Sequence, residues 1–374
     1  MSNAPSKPAG GTEILLENLQ KYVDISSVNI ILTAHSELLS ETKPNVLWLH
    51  LSYDQENVKG LGNQEFLSKL DAIIFVSHWQ YEKFRNLYDL KNVKCAVIQN
   101  CVEEFKWIEK PKRIKLIYTS TPWRGLQVLV GALQQIDLKS IDVVVYSGNK
   151  IYGPSFAKST EGHYDELYEQ LIQLGVNHIE YAPNEDIRKE LQTAHILAYP
   201  SIFEETSCLS AIEALSAGCK VVTTSFGALP ETCSTWASYV TMEKDLVDRY
   251  AKSLQKEIDT YWDNYTERKE QYDYYKKNWS WTARKPQWEK LIGELTMEEQ
   301  TLTINDKEYK VSDLTQEQVY LINQINNIDQ KIGEKTFEID QLNANRYRFV
   351  ELLNGTTVQT TKETETNVVG RLPD

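Results

Sequence analysis

The strongest constraint on this chain is the alternation of short, unbroken apolar runs with amphipathic stretches. Val28–Ala34, Val46–His50, Ala72–Ser77 and Val93–Gln99 form a first set of runs. Ile114–Ser120, Val143–Ser147, His178–Tyr181, Ile196–Pro200 and Val221–Thr224 form a second. Runs that are apolar on both faces suit strands of a parallel sheet, which are covered by helices on each side. The amphipathic stretches at 12–22, 79–88, 124–135, 162–174, 185–193 and 207–217 supply those helices. This spacing predicts an α/β chain with two doubly wound, Rossmann-like sheets. The polar stretch Glu103–Arg113, with Pro111, reads as the link between them.

Composition narrows the function classes. The net charge of −13 argues against a duplex nucleic-acid binder, which needs clustered Lys and Arg. It argues equally against an anionic membrane surface. Five cysteines (Cys95, Cys101, Cys208, Cys219 and Cys233) with no CxxC pair give neither a disulfide framework nor a zinc site. No metal site is expected. No apolar run approaches the roughly 18 residues of a membrane span, and the polar start MSNAPSKPAGG does not read as a signal peptide. A soluble protein of a reducing, cytoplasmic compartment is the expectation.

Beyond residue 243 the pattern changes. Aromatic residues crowd 261–288, from Tyr261 and Trp262 to Trp281 and Trp288, and read as helices packing their rings on a domain face. TLTINDKEYKV then alternates like a strand pair. A long helical pattern runs from about 315 to 353. A heptad frame puts Ile325, Ile332, Ile339 and Leu353 at one seam position and Ile328, Leu342 and Phe349 at the other. Lys335 and Arg346 interrupt it. This predicts a coiled coil, or a helical hairpin bent near Gly333, that serves oligomerisation or docking, with a homo-oligomer through 315–353 expected and a helix lying on its own catalytic body as the alternative. The Thr-rich end is expected to be disordered.

The segment most informative about chemistry is Ala198–Thr224, which reads strand, loop, helix, glycine stop, strand. Ser207 is a good helix cap and Gly218 a good C-terminal stop. Amides around Thr206 to Leu209 would then sit at a positive helix end that favours a phosphate or diphosphate. Glu205 precedes the helix and Glu213 lies within it. The two carboxylates could accept hydrogen bonds from hydroxyls at either end of a sugar nucleotide.

At these residues the chain resembles the family 4 retaining glycosyltransferases of the GT-B fold. Pro200-Ser201, Glu205, Glu213, Ala217-Gly218 and Val221-Val222 occupy the places of that family's hallmark in order. Arg124-Gly125, in TSTPWRGLQVLVGAL, looks like the family's phosphate-binding cation and the glycine after it, with Ser120 just before. Ser147-Gly148 resembles the turn after the next strand. Tyr181 and Ala182 fall in the loop that reads the nucleotide base. Gly10-Gly11 resembles the glycine loop opening the first helix. FVSHWQYEKF (75–84) resembles the last-strand segment of the acceptor domain, and NWSWTARKPQW (278–288) the C-terminal helix that crosses back to it. His50 looks like the acceptor-site histidine at a strand end. Thr119 stands where many members carry an arginine, so the second phosphate cation is expected to be Lys220 or Lys150, or to be absent.

The resemblance implies two Rossmann-like domains facing a cleft. The expected boundaries are an acceptor-side domain at 1–108, a donor domain at 109–258, and crossing helices at 259–299. A strand pair with a helical extension follows at 300–354, then a disordered tail at 355–374. It implies transfer of a sugar from a nucleotide-diphosphate donor, of UDP or GDP type, with retention at the anomeric carbon and no cofactor. The acceptor stays open: a glycan, a protein or another molecule. Arg124 would stabilise the departing diphosphate, Glu205 would hold donor-sugar hydroxyls, and His50 would position the acceptor or the sugar. Gly10, Gly11, Ser120, Gly125, Ser147, Gly148, Tyr181, Ala182, Ser207, Cys208, Leu209 and Glu213 would bind the donor. Two further classes are weighed against this: another GT-B sugar-nucleotide enzyme, and an inactive scaffold acting through its coiled coil.

Overall fold

In a computed structural model, residues 10–148, 160–296, 301–304, 307–310 and 315–360 are described. The chain divides into two compact units, 1–296 and 297–374.

The first unit opens with α1 (Gly11–Tyr22), followed by β1 (Asn29–Ile31), β2 (Asn45–Leu49), α2 (Gln64–Leu67), β3 (Ala72–Phe75), α3 (His78–Leu87) and β4 (Lys94–Val97). These strands form a parallel sheet in chain order. Successive side chains of a strand face opposite ways, so the doubly apolar runs feed two separate cores. Val46, Trp48, Ala72 and Ile74 pack on one face with Leu15 and Leu19 of α1. Leu47, Leu49, Ile73 and Phe75 pack on the other with Leu61, Phe66 and Phe84.

The second sheet follows. Its elements are β5 (Lys115–Thr119), α4 (Leu126–Leu133), β6 (Asp142–Tyr146), α5 (Asp165–Gln173), β7 (Asn177–Ile179), α6 (Asn184–Thr193) and β8 (Ile196–Tyr199). Then come α7 (Leu209–Ser216), β9 (Lys220–Thr224), α8 (Leu229–Cys233), β10 (Ala237–Val240) and α9 (Leu246–Asp259). The strand order is β10-β9-β8-β5-β6-β7, all parallel. The chain therefore reverses direction between β5 and β8. Ligands of open α/β sheets bind at such a switch point, beyond the carboxyl ends of the strands. The strand β10 was not foreseen; its sequence ASYV is half polar and lies at the sheet edge.

Two helices complete this unit. In α10 (Tyr265–Asn278), Tyr272 and Tyr275 donate hydrogen bonds to the carbonyls of Phe105 and Thr232, each at 2.7 Å. The next helix, α11 (Trp281–Thr296), returns to the first sheet and buries Trp288, Leu291 and Ile292 against it. Trp48 meets Trp288 edge-on at 5.0 Å.

The link 103–113 is polar in sequence but packed in structure. Phe105 and Lys110 are buried. Lys110 Nζ donates to the carbonyls of Gln192 and Ala217, at 2.9 Å each, and of Leu191 at 3.2 Å. A cation thereby satisfies orphan carbonyls at the ends of α6 and α7.

In the second unit β11 (Thr301–Ile304) and β12 (Lys307–Lys310) pair antiparallel. The helix α12 (Gln316–Thr360) then runs unbroken through Gly333, so the bend expected there is absent. One glycine costs a helix only about 1 kcal/mol, and 45 residues of continuous hydrogen bonding tolerate it. The helix also continues to Thr360. The rest of the expected tail, 361–374, lies outside the described residues.

Candidate functional site: the switch point of the second sheet

Arg124 follows β5 and Glu205 follows β8, so both stand at the switch point. Arg124 Nη1 donates to Glu205 Oε1 at 2.5 Å and to Oε2 at 2.6 Å. Tyr199 Oη donates to the same Oε1. The guanidinium also lies over the Phe203 ring at 4.2 Å, a favourable cation–π placement. Glu205 is only 3% exposed. A carboxylate so buried needs a cation and hydrogen bonds, and here it has both.

Two glycines make this approach possible. Gly125 has φ +114°, and a Cβ there would stand 2.0 Å from the Pro200 carbonyl oxygen. The turn carrying Arg124 can therefore touch the loop after β8. Gly227 has φ +62°, and a Cβ there would fall 2.5 Å from the Glu205 nitrogen. The Ala228 amide donates to the Glu205 carbonyl at 2.7 Å. The backbone of Glu205 is thus clamped from the β9 side.

The helix after this loop starts differently from the expectation. Ser207 is not its cap: Cys208 holds that place, with φ 64° and no side-chain cap. Left-handed backbone in a residue with a Cβ costs on the order of 1 kcal/mol, and such strain collects at functional sites. The Ser207 hydroxyl is buried without a partner among the described residues. Gly218, with φ +76°, ends the helix as expected. The N-terminus of α7 meets that of α1: a Cβ on Gly11 would lie 3.5 Å from Leu209 Cδ2. Gly10 caps α1, with the Glu13 carboxylate nearby. Two positive helix ends converge here, a setting that favours an anion.

Glu213 lies one turn into α7 and is 6% exposed. Asn184 Nδ2 and Arg188 Nη1 of α6 each approach its Oε1 at 3.3 Å. Arg188 also stacks on Phe105 at 3.8 Å and donates to the Glu103 carbonyl at 2.9 Å. Burial raises the Glu213 pKa above the usual carboxylate range, and Arg188 opposes the shift. Tyr181 and Ala182 occupy the loop just before α6. Ser147 and Gly148 follow β6, where His178 Nε2 meets the Ser147 carbonyl at 2.8 Å and Gly148 abuts the Glu180 carbonyl. The hydroxyls of Thr119, Thr121 and Ser147 are buried without partners among the described residues. Ser120 reaches the Tyr199 hydroxyl at 3.4 Å.

From the first sheet, His50 enters this neighbourhood through its backbone. Thr206 Oγ1 donates to the His50 carbonyl at 2.9 Å, and Ser77 Oγ donates to the Thr206 carbonyl at 2.6 Å. Tyr53 Oη donates to Glu204 at 2.9 Å. The His50 ring packs 4.4 Å from Trp48, and its Nε2 is buried without a partner among the described residues. Burial pushes its pKa down to about 3.

Arg124, Glu205, Ser120, Gly125, Cys208, Leu209, Gly10 and Gly11 are thus gathered around one point, with His50 adjoining. Glu213, Tyr181 and Ala182 lie one step along the same sheet edge. Lys220 is misplaced for a second phosphate cation. It begins β9, at the opposite edge, and its Nζ faces Glu257 at 3.7 Å because strand polarity puts residue 220 at the N-terminal end. Lys150 lies outside the described residues. Asn184, Arg188, Tyr199 and Phe203 were missed. The sequence signal for them was weak, since Asn184 and Arg188 read as an ordinary helix surface. Among the described residues no three His, Cys, Asp or Glu side chains group to hold a metal. Among them, too, no helix is long and apolar enough to cross a membrane.

His195 is structural. Its Nδ1 accepts from the Lys115 amide at 3.0 Å, and its Nε2 faces the Pro111 carbonyl at 2.8 Å, the pattern of a neutral ring protonated on Nε2. Burial, with Lys110 and Lys115 nearby, pushes its pKa down to about 4. An unfolded histidine titrates near 6.5. The unfolded chain then binds protons before the folded one does. Stability should fall as pH drops from about 6.5 towards 4, with both His195 and His50 contributing. Melting curves taken from pH 7.5 to 5 check this, and a flat Tm would contradict it.

Residues 97–279 match the family model "Glycosyl transferases group 1". No curated protein sequence matches the chain significantly. Among solved structures it resembles sucrose-phosphate synthase from Thermosynechococcus elongatus (18% identity, TM-score 0.54, 68% of this chain and 69% of that one). It also resembles Anabaena Alr3699/HepE, solved with UDP-glucose (17%, 0.55, 68% and 73%). A third is a glycosyltransferase from Rickettsia africae (15%, 0.56, 79% and 84%). Against a chain of the GtfA/B complex (14%, 0.53) the matched region is 70% of this chain, and it spans only about half of that one, 55%. The stretch 97–279 thus matches the group 1 glycosyl transferase model, in a chain whose two parallel sheets have the GT-B architecture.

Proposed function

We propose that this protein is a retaining glycosyltransferase of the family 4 type, using a nucleotide-diphosphate sugar. The observation that carries the reading is the meeting of Arg124 and Glu205 at the switch point, 81 residues apart in sequence and beside two helix N-termini. HepE was solved with UDP-glucose and, separately, with UDP and glucose, which makes a UDP-sugar the first donor to try.

In this reading the diphosphate lies between the starts of α1 and α7, within reach of Arg124. The ribose hydroxyls meet Glu213, and the base meets the backbone of Tyr181 and Ala182. Glu205 takes the sugar hydroxyls. The bond from the anomeric carbon to the diphosphate oxygen breaks. A bond from the acceptor oxygen to that carbon forms on the same face. The acceptor's proton passes to the departing diphosphate, so no protein base is consumed. The protein's part is electrostatic: preorganised positive groups where negative charge grows. His50, neutral at working pH, offers an uncharged ring nitrogen beside the sugar or acceptor.

The test is a thermal-shift panel of UDP, GDP, ADP and TDP with their common sugars. A ligand at a hundredfold its Kd stabilises by about 2.7 kcal/mol, a visible shift. A shift for one base class supports the reading and names the donor. No shift for any, in folded protein, would sink it and favour the scaffold. NMR of the sugar first released from the responding donor tests retention: an inverted anomer would overturn it.

A further inference from the structure

Glu205 holds two donors of unlike character. Arg124 reaches both of its oxygens on a long side chain that is 24% exposed, so a ligand at the switch point can compete for it. Tyr199 reaches Oε1 alone, and from inside the fold. It is the last residue of β8, level with Thr223 of β9, and is buried. Its ring packs 5.7 Å from that of Tyr118, which is itself tied to the Thr121 carbonyl at 2.8 Å. A phenol on a short, packed side chain is a stiffer donor than a guanidinium at the end of a long one. The Ser120 hydroxyl lies 3.4 Å from the phenol oxygen and can donate to it, which leaves the phenol proton for Glu205. Burial, with the Glu205 charge beside it, raises the Tyr199 pKa well above the ordinary tyrosine value, so the phenol keeps that proton.

We propose that Tyr199 is a positioning residue for the donor sugar, acting through Glu205. In the binding mode above, the diphosphate draws Arg124 away from Glu205. The carboxylate would then lie buried without its cation, a costly state unless another hydrogen bond remains. Tyr199 supplies that bond and keeps Oε1 in place. Oε2, whose hydrogen bonds among the described residues come from Arg124 alone, is the oxygen released towards the sugar hydroxyls. Tyr199 itself touches neither nucleotide nor sugar in this mode. The proposal rests on the catalytic reading and adds to it one residue from the strand that precedes the Glu205 loop.

Tyr199→Phe keeps the ring and removes the hydroxyl. Calorimetric titrations with UDP and with UDP-glucose, or with the nucleotide and nucleotide sugar that wild type prefers in the panel above, read the effect. UDP affinity should stay as in wild type, which also shows that the variant is folded. The ratio of the UDP-glucose Kd to the UDP Kd should rise by about tenfold, the worth of one hydrogen bond to a charged group. In a Glu205→Ala background the phenol has nothing to hold, so adding Tyr199→Phe should leave the ratio where it was. Both are binding measurements and stay readable where turnover is lost. A purely structural tyrosine would weaken the two ligands alike, or carry its cost unchanged into the Glu205→Ala background, and either result overturns the proposal. Wild type that binds no nucleotide sugar sinks the catalytic reading and this proposal with it. Wild type that binds normally, beside an unchanged ratio in Tyr199→Phe, sinks this proposal alone.

Discussion

Arg124→Ala should lower turnover by about 10²–10³, the usual cost of removing one preorganised group that stabilises a departing anion. The substitution also strips a buried carboxylate of its cation. Breaking a buried pair from one side costs roughly 3–5 kcal/mol, so a stability loss could imitate a catalytic one. The double variant Arg124→Ala/Glu205→Gln separates the two. It removes the uncompensated charge, should recover much of the Tm, and should turn over more slowly than Glu205→Gln alone. Turnover equal to that of Glu205→Gln would show Arg124 to be merely structural. Glu205→Gln alone has a distinctive expected signature. In the structure Glu205 occupies the guanidinium that the proposed mode assigns to the diphosphate. Removing that competing charge should tighten nucleoside diphosphate binding by about tenfold, the worth of one charge-assisted hydrogen bond. Turnover should still fall, because the sugar hydroxyls lose their acceptor. Calorimetry beside a steady-state assay reads both signs at once.

Glu213→Ala should weaken nucleotide binding by about 10- to 100-fold, the range for a lost hydrogen bond to a charged group. The pH dependence adds a second check. In the proposed binding mode ribose hydroxyls donate to the carboxylate, so binding would need Glu213 ionised. Burial raises its pKa. Affinity should therefore decline on the acid side at a higher pH than an ordinary glutamate would give. Arg188 opposes that shift from 3.3 Å, so Arg188→Met should move the decline to still higher pH. Nucleotide titrations between pH 5 and 8 on wild type, Glu213→Ala and Arg188→Met decide the matter. A pH-independent affinity in wild type would take Glu213 out of the site.

Much of this was legible in the chain itself, for definite reasons. Strands apolar on both faces can exist only inside covered parallel sheets, so the alternation of runs and amphipathic stretches specified two such sheets. Pro200, Glu205, Glu213 and Gly218 stood at the spacing of a strand, loop, helix and stop, and the structure keeps that order. The glycine beside Arg124 reads in sequence as a turn, and in space it is the opening that lets the turn touch Pro200.

Tertiary structure decided the rest, because it depends on contacts between distant residues. Nothing local shows that Arg124 faces Glu205, that Tyr199 turns its hydroxyl to the same carboxylate, or that Arg188 guards Glu213. Propensity named Ser207 as the cap, yet the clamp at Gly227 and the packing of α7 moved that role to a strained Cys208. Lys220 resembled a phosphate cation by composition, but strand direction carried it to the far edge. A polar link became a buried strap because Lys110 could serve the carbonyls of two helix ends at once. Periodicity decides which residues are buried and on which face; which charges meet depends on the path the chain takes between its strands.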